Sequence, residues 1–249
     1  MNLKMLTPIC LLLFGISSHA QTLMYFAGDN GKYGYKDAKG NIVIQPKYDE
    51  ATPFFGGFGK VKLNGKYGFI DKTGKETVVP RYDNTGNFYD GMAPVQLNGK
   101  WGYIDRTGKE VTPLKYDKVI DYSDGLATVM LNKKYGFVDK VGKEVIPLIY
   151  DVALSFFRGF AGVKLNGRCG FIDQSGKEVI PLKYDAVRSF TDNNLAVIKL
   201  NGKFGYIDMT GSEVIPLKFE KAENFNNGKA KVMLDGREIF IDQTGKELN

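Results

Sequence analysis

Asn98-Gly99-Lys100-Trp101-Gly102-Tyr103-Ile104-Asp105-Arg106-Thr107-Gly108-Lys109-Glu110 reads as a hairpin turn, the strand that leaves it, and a second turn, and this pattern returns along the whole chain. An aromatic residue followed by Gly stands at Tyr33-Gly34, Tyr67-Gly68, Trp101-Gly102, Tyr135-Gly136 and Phe204-Gly205. Cys169-Gly170 and Glu238-Ile239 occupy the same place in the other two of seven copies. Successive copies lie 34 residues apart, with one step of 35 between Cys169 and Phe204. An Asn-Gly series precedes each aromatic, with Asn132-Lys133 and Asp235-Gly236 as variants, and an Asp series from Asp37 to Asp242 follows it, each Asp three residues before a Gly. A fixed period of this size signals an array whose units bury their apolar faces against one another. Residues that recur in every unit are therefore explained first by what every unit must do, which is fold.

Working outward from Asn98-Gly99, both residues tolerate positive φ and form the strongest two-residue hairpin signal. Ala93 to Leu97 alternates apolar and polar residues as the incoming strand, and Lys100 to Asp105 returns as the second. The Asp105 carboxylate is placed to accept an amide two residues on, and Gly108 supplies left-handed backbone for the second turn. Glu110 to Thr112 is expected as a short third strand ended by Pro113, which cannot donate to a ladder. Each unit then reads as a three-stranded meander followed by a loop.

The hairpin register assigns faces, because paired residues project to the same side. Leu97 opposes Lys100, Val95 opposes Gly102 and Ala93 opposes Ile104, and the same set recurs as Val61, Leu63, Gly68 and Ile70. This is the expected core face. Its glycine marks the close approach of another backbone or a bulky ring, with a loop aromatic such as Tyr116 or Tyr122 as the expected occupant. The opposite face carries aromatics and cations, and its candidate ligand-binding residues are Lys62, Tyr67, Trp101, Tyr103, Lys164, Lys199 and Phe204. The competing reading has these rings stacked on the next meander with lysine stems along their edges.

The Asn-Gly-Lys-aromatic-Gly-aromatic-Ile-Asp block, the Thr-Gly-Lys-Glu turn and the Pro-x-x-Tyr-Asp segment together resemble the WG repeat family of bacterial proteins, from about Tyr25 to the C-terminus. Only Trp101 keeps the tryptophan for which that family is named; the other copies use Tyr, Phe or Cys. The resemblance implies an all-β repeat module, often on exported or surface proteins and mediating interactions, with no catalytic residue to carry over.

Residues 1–20 read as a signal peptide. Lys4 gives a positive start, Met5 to Ile16 is apolar, and Ser18-His19-Ala20 places small residues at the cleavage-determining positions, so that Gln21 becomes the first residue of a domain spanning 21–249. The apolar run is too short to span a bilayer, and Ile9 is not the small residue a lipoprotein site wants before Cys10. Cleavage removes His19 and Cys10, leaving no histidine and Cys169 as the sole thiol. A zinc site of His and Cys, a Ser-His-Asp triad or a Cys-His pair cannot be built from that inventory. Cys169 occupies an aromatic position and reads as a small apolar filler. No cofactor or metal is expected.

Loss of Lys4 leaves 33 Lys and Arg against 28 acidic residues, a net charge of +5 with both signs interspersed. No run of five like charges offers a nucleic-acid arm, and the Lys of Asn-Gly-Lys reads as a solvated turn residue. Two carboxylates suitably spaced would serve a glycosidase, yet the acidic residues come in ladders and no unit holds a pair its siblings lack. Asp49, Asp83, Asp117, Asp151 and Asp185, each after a tyrosine, are expected to order loops through nearby amides. Calcium in the Asp turns is disfavoured by the Lys that six of the seven turns contain.

The expected fold is an all-β tandem array of seven three-stranded meanders, open and curved or superhelical. Its last copy is expected to stop after the second strand, and a closed seven-bladed, propeller-like ring is the alternative. The expected function is a non-enzymatic exported binding or scaffold module that holds a protein or an anionic or glycan envelope polymer. A carbohydrate-active enzyme on a propeller-like scaffold and a purely structural spacer are the competing readings. The ligand and the oligomeric state are open at this stage.

Overall fold

The computed structural model describes residues 22–248, so the proposed signal peptide lies outside the described residues. Among them the chain is all-β, folded into seven small antiparallel sheets in sequence order. The fifth unit shows the plan: Val152–Ala153, Phe160–Leu165, Arg168–Asp173 and Glu178–Tyr184 pair in that order. Its central pairing sets Val163 opposite Gly170 and Leu165 opposite Arg168, and the third unit sets Val95 opposite Gly102 as the register requires. Asn64, Asn98, Asn166 and Asn201 hold φ near 50°, each followed by a glycine at positive φ. The hairpins are therefore of the type that matches strand twist.

Five units have four strands rather than three. The segment after each Tyr-Asp pair, expected as loop, supplies a short first strand to the next sheet, as Glu50–Ala51 does beside Gly59–Leu63. The last strand of a unit runs on past its proline. In the fifth unit Phe171 opposes Ile180 and Cys169 opposes Tyr184, so two extra residues bulge out around Pro181. The bulge lets the strand tolerate a residue without an N–H. It also presses the backbone onto the recurrent glycine: a Cβ on Gly170 would lie 2.5 Å from the Ile180 carbonyl oxygen. The occupant of the glycine site is thus the unit's own last strand and not the loop aromatics Tyr116 or Tyr122. Only in the third unit does that strand fail. Thr112 replaces the Ile or Val found elsewhere, its hydroxyl accepts the Tyr103 amide at 2.8 Å, and only isolated bridges at Glu110 and Tyr116 remain.

Six core clusters lie at the junctions between consecutive units. Phe137, Ile146 and Tyr150 of the fourth unit pack on Ala153, Phe156, Ala161, Val163 and Ile172 of the fifth, and the other junctions repeat this arrangement. Each contains at least one ring pair across the boundary, as Tyr35–Phe54 and Tyr206–Phe225 show, both at 4.9 Å. Such tilted and edge-to-face pairs add about 0.5–1.5 kcal/mol each beyond burial. The second strand of every inner unit is consequently covered on both faces, with glycine on one and the ring on the other.

The ends differ from the middle. Phe240, in the register of Phe69 and Tyr206, is 45% exposed because no unit covers it. Lys36 stands where the other units place Ile or Val, and Glu238 replaces the aromatic and pairs with Lys231 at 2.9 Å. Among the described residues no strand of the first sheet pairs with the last, and the array is open. The seventh unit does not stop at its second strand, since Glu247–Leu248 pairs back onto Phe240 and Ile241.

Candidate functional site

Repetition makes the site a question of which residues depart from their counterparts. Among the described residues, five recurrent ionic contacts join successive units. Lys100 of the third unit donates to Asp117 at 2.6 Å, and the same carboxylate accepts the Asn132 amide of the fourth unit's hairpin at 2.8 Å. Lys32 and Gly65 meet Asp49 in the same way, as do Lys66 and Asn98 at Asp83. Lys134 pairs with Asp151 and Arg168 with Asp185, both at 2.6 Å. The lysine partner and the hairpin amide hold the carboxyls of Asp49, Asp83 and Asp117 below the usual carboxylate range. These aspartates order loops as expected, and the correction concerns the lysines. They are not merely solvated; they latch one unit to the next.

The Asp turns are equally internal. Asp105 Oδ1 accepts the Thr107 amide at 2.8 Å, the Thr107 hydroxyl at 2.6 Å and the Lys109 amide at 3.1 Å, and the pattern recurs at Asp71, Asp173, Asp208 and Asp242. Donation from the threonine or serine side chain is the main reason these carboxyls lie low. Cys169 is buried in the junction between the fifth and sixth units, with its sulfur 3.6 Å from the Asp185 carbonyl oxygen. Burial raises its thiol above the ordinary value, which suits a filler and not a nucleophile.

The seven residues predicted for a ligand fall into three groups. Tyr103 belongs to the interior: it is fully buried, meets Tyr122 edge to face at 4.9 Å and donates its hydroxyl to the Ile120 carbonyl at 2.6 Å. Its place on an open face is corrected by that packing, and Trp101 is half-buried against the same cluster. Lys62 and Tyr67 are accessible but engaged by one carboxylate, Glu50, at 2.8 and 2.9 Å, with the Lys62 ammonium 5.0 Å from the Tyr67 ring centre. Lys164, Lys199 and Phe204 form the third group, and the fold brings them together.

Lys164 lines a trough of about 160 Å³ with Val152, Leu154, Cys169 and Val187, and with Asp185, whose carboxylate is taken by Arg168 at 2.6 Å. Lys199 and Phe204 line a second, of about 300 Å³, with Ala186, Val187 and Arg188. The short strand Ala186–Val187 separates the two troughs and belongs to both. The register explains why these cations differ from Lys62. Glu50 is the cross-strand partner of Lys62, whereas Val152 is the partner of Lys164 and Ala186 the partner of Lys199. Among the described residues neither Lys164, Arg188 nor Lys199 makes an ion pair; Lys199 lies over the Phe204 ring at 5.1 Å. Three cations without counter-ions therefore border two apolar troughs. Arg188, Val152 and Val187 escape a reading from sequence, because their roles depend on a first strand that the sequence presents as loop. The signal available was the residue after each Tyr-Asp pair, which runs Glu50, Asn84, Lys118, Val152, Ala186.

Seven junction-packed sheets with no helix among the described residues define an all-β tandem-repeat protein. The chain belongs to the WG containing repeat family, whose pattern matches residues 33–67, 67–101, 101–135, 135–169, 170–204 and 204–237. No curated protein matches it in sequence. In structure it is similar to a eukaryotic initiation factor, with a TM-score of 0.52 and 11% identity over 92% of this chain and 73% of that one. Weaker likenesses include Kluyveromyces lactis Hsv2p, with a TM-score of 0.44 and 11% identity over 75% of this chain and 71% of that one. Another is PorZ, a bacterial surface component of the type-IX secretion system of Porphyromonas gingivalis, with a TM-score of 0.37 and 11% identity over 88% of this chain and 37% of that one. At these identities the likeness concerns the fold alone. Among the described residues no helix is long and apolar enough to cross a membrane.

Proposed function

We propose that this protein is an exported, non-catalytic binding module that holds an anionic partner, a protein or an envelope polymer, against its fifth and sixth units. The observation that carries the reading is the loss of the counter-ion: Glu50 neutralises Lys62, while Val152 and Ala186 leave Lys164 and Lys199 open beside apolar troughs. A cation free of a partner, bordered by low-dielectric surface, attracts an anion more strongly than one already paired. The recurrent aspartates are engaged in latches and turns, which supports binding over turnover at those positions. Export rests on the leader-like order of Lys4, the apolar run Met5 to Ile16 and Ser18-His19-Ala20, and a mature product beginning at Gln21 tests that part.

The binding reading is tested by capture from solubilised cell-envelope material, comparing the native protein with a Lys164→Glu, Lys199→Glu variant. Both side chains are partly exposed, so the variant is expected to keep its thermal transition. Retention by the native form, loss by the folded variant and release by salt are the expected outcomes. Equal retention by both proteins removes this surface from the account.

A further inference from the structure

The array breaks its 34-residue step once, and the extra residue falls in the loop Thr191-Asp192-Asn193-Asn194 of the sixth unit. Elsewhere this turn is made by two left-handed residues such as Asp90-Gly91 or Arg158-Gly159; here Asn194 alone is left-handed, with φ 62°. The longer loop is held at both ends. Thr191 accepts the Asn194 amide at 2.8 Å through its carbonyl and donates its hydroxyl to the Asn193 side chain. From the fifth unit, Arg158 donates to Asn194 Oδ1 at 2.7 Å and lies 3.8 Å from the Asp192 carboxylate.

So braced, the loop walls a groove of about 620 Å³ that runs from the fifth unit to the seventh. Phe157 and the edges of the buried Phe190 and Phe225 give it an apolar floor, and Asn193, Asn226 and Gln243 stand around them. No lysine or arginine lines it, and its one carboxylate, Asp192, faces Arg158. Asn193 carries a further mark: its Nδ2 is buried and has no hydrogen-bond partner. A buried amide left unpaired is costly unless something arrives to accept from it.

We propose that this groove binds a neutral carbohydrate residue, with the sugar's C–H face on the phenylalanines and its hydroxyls on Asn193, Asn226 and Gln243. An apolar floor ringed by uncharged amides suits a ligand with one apolar face and a rim of hydroxyls. The one cation at the groove's wall, Arg158, is engaged by Asn194, by Asp192 and by the Phe157 ring at 5.5 Å, which leaves little for an anionic polymer or acidic peptide, and a wholly apolar ligand leaves the amides unpaired. The proposal does not depend on the cationic troughs, which lie on other residues.

The test is a ¹⁵N NMR titration of the exported protein with two neutral probes, maltotriose and triacetylchitotriose. The expected result is saturable shifts confined to the Thr191–Asn194 loop, Asn226 and Gln243 for at least one probe. Asn226→Ala with Gln243→Ala, both at exposed positions, weakens binding by about tenfold, the loss expected for one or two neutral hydrogen bonds. Deleting Asn194 to restore the ordinary loop length abolishes it, while the Lys164→Glu, Lys199→Glu protein binds saccharide unchanged. No shift with either probe, shifts elsewhere, or a stronger response of these resonances to polyglutamate overturns the proposal.

Discussion

At the scale of single residues, two kinds of contact join the units, and they respond to opposite ends of the pH scale. The Asp117 carboxyl is held low by Lys100 and the Asn132 amide, and Asp49 and Asp83 repeat the arrangement. Their folded form favours the ionised state, so the stabilisation is present above the ordinary carboxylate range and is lost as pH falls through the lowered values. Tyr35, Tyr103, Tyr122 and Tyr206 are raised, chiefly by burial. Their contribution is intact below about pH 10 and fails as pH rises beyond it. Thermal scans are expected to give a plateau near neutrality with falls on both sides, and an Asp83→Asn, Asp117→Asn protein is expected to lose part of the acid limb. Tyr103→Phe removes a hydroxyl that donates to Ile120 at a place where Phe69, Phe137 and Phe171 already fit, so a loss of about 1 kcal/mol in denaturant unfolding is expected. Asp105 and its turn were legible in the sequence because the contact is local. The Lys100–Asp117 latch was not, since it depends on the chain returning past Pro113 to pair Tyr116 with Trp101.

At the scale of elements, the hairpin dipeptides fixed the register of the two central strands, and the observed pairing follows it residue by residue. The fourth strand was hidden although its signal was present. Asp90-Gly91, Asp124-Gly125 and Asn227-Gly228 are the same left-handed pairs as the Asn-Gly turns, and they close a second hairpin onto a strand of only two residues in most units. Proline misled in the other direction. It cannot donate to a ladder, yet the bulge around Pro147 or Pro181 lets the strand resume and end at Tyr150 or Tyr184. A proline within an exposed edge strand also discourages pairing with other chains. Asn166 holds φ at 50°, so Asn166→Ala is expected to cost about 1–2 kcal/mol through backbone strain alone. A urea midpoint that does not move contradicts that assignment.

At the scale of the molecule, six similar junctions carry the stability and the two end faces carry none of it. Phe137 is fully buried against Phe156 at 4.7 Å, whereas Phe240 lies open at the end. Phe137→Ala is expected to cost about 3–5 kcal/mol and Phe240→Ala no more than about 0.5 kcal/mol; similar losses would mean that the end face is covered in solution. An array of near-identical junctions places function where one unit departs from the others. For the candidate site, the sequence pointed to Lys164, Lys199 and Phe204 but ranked them equally with Lys62 and Tyr67, because Glu50, Val152 and Ala186 sat in apparent loops. The deciding measurement is a calorimetric titration of the captured partner against single charge reversals at Lys62, Lys164, Arg188 and Lys199, at low and moderate salt. The account predicts large, salt-sensitive losses at Lys164, Arg188 and Lys199 and little change at Lys62; equal effects at all four, or none, would contradict it.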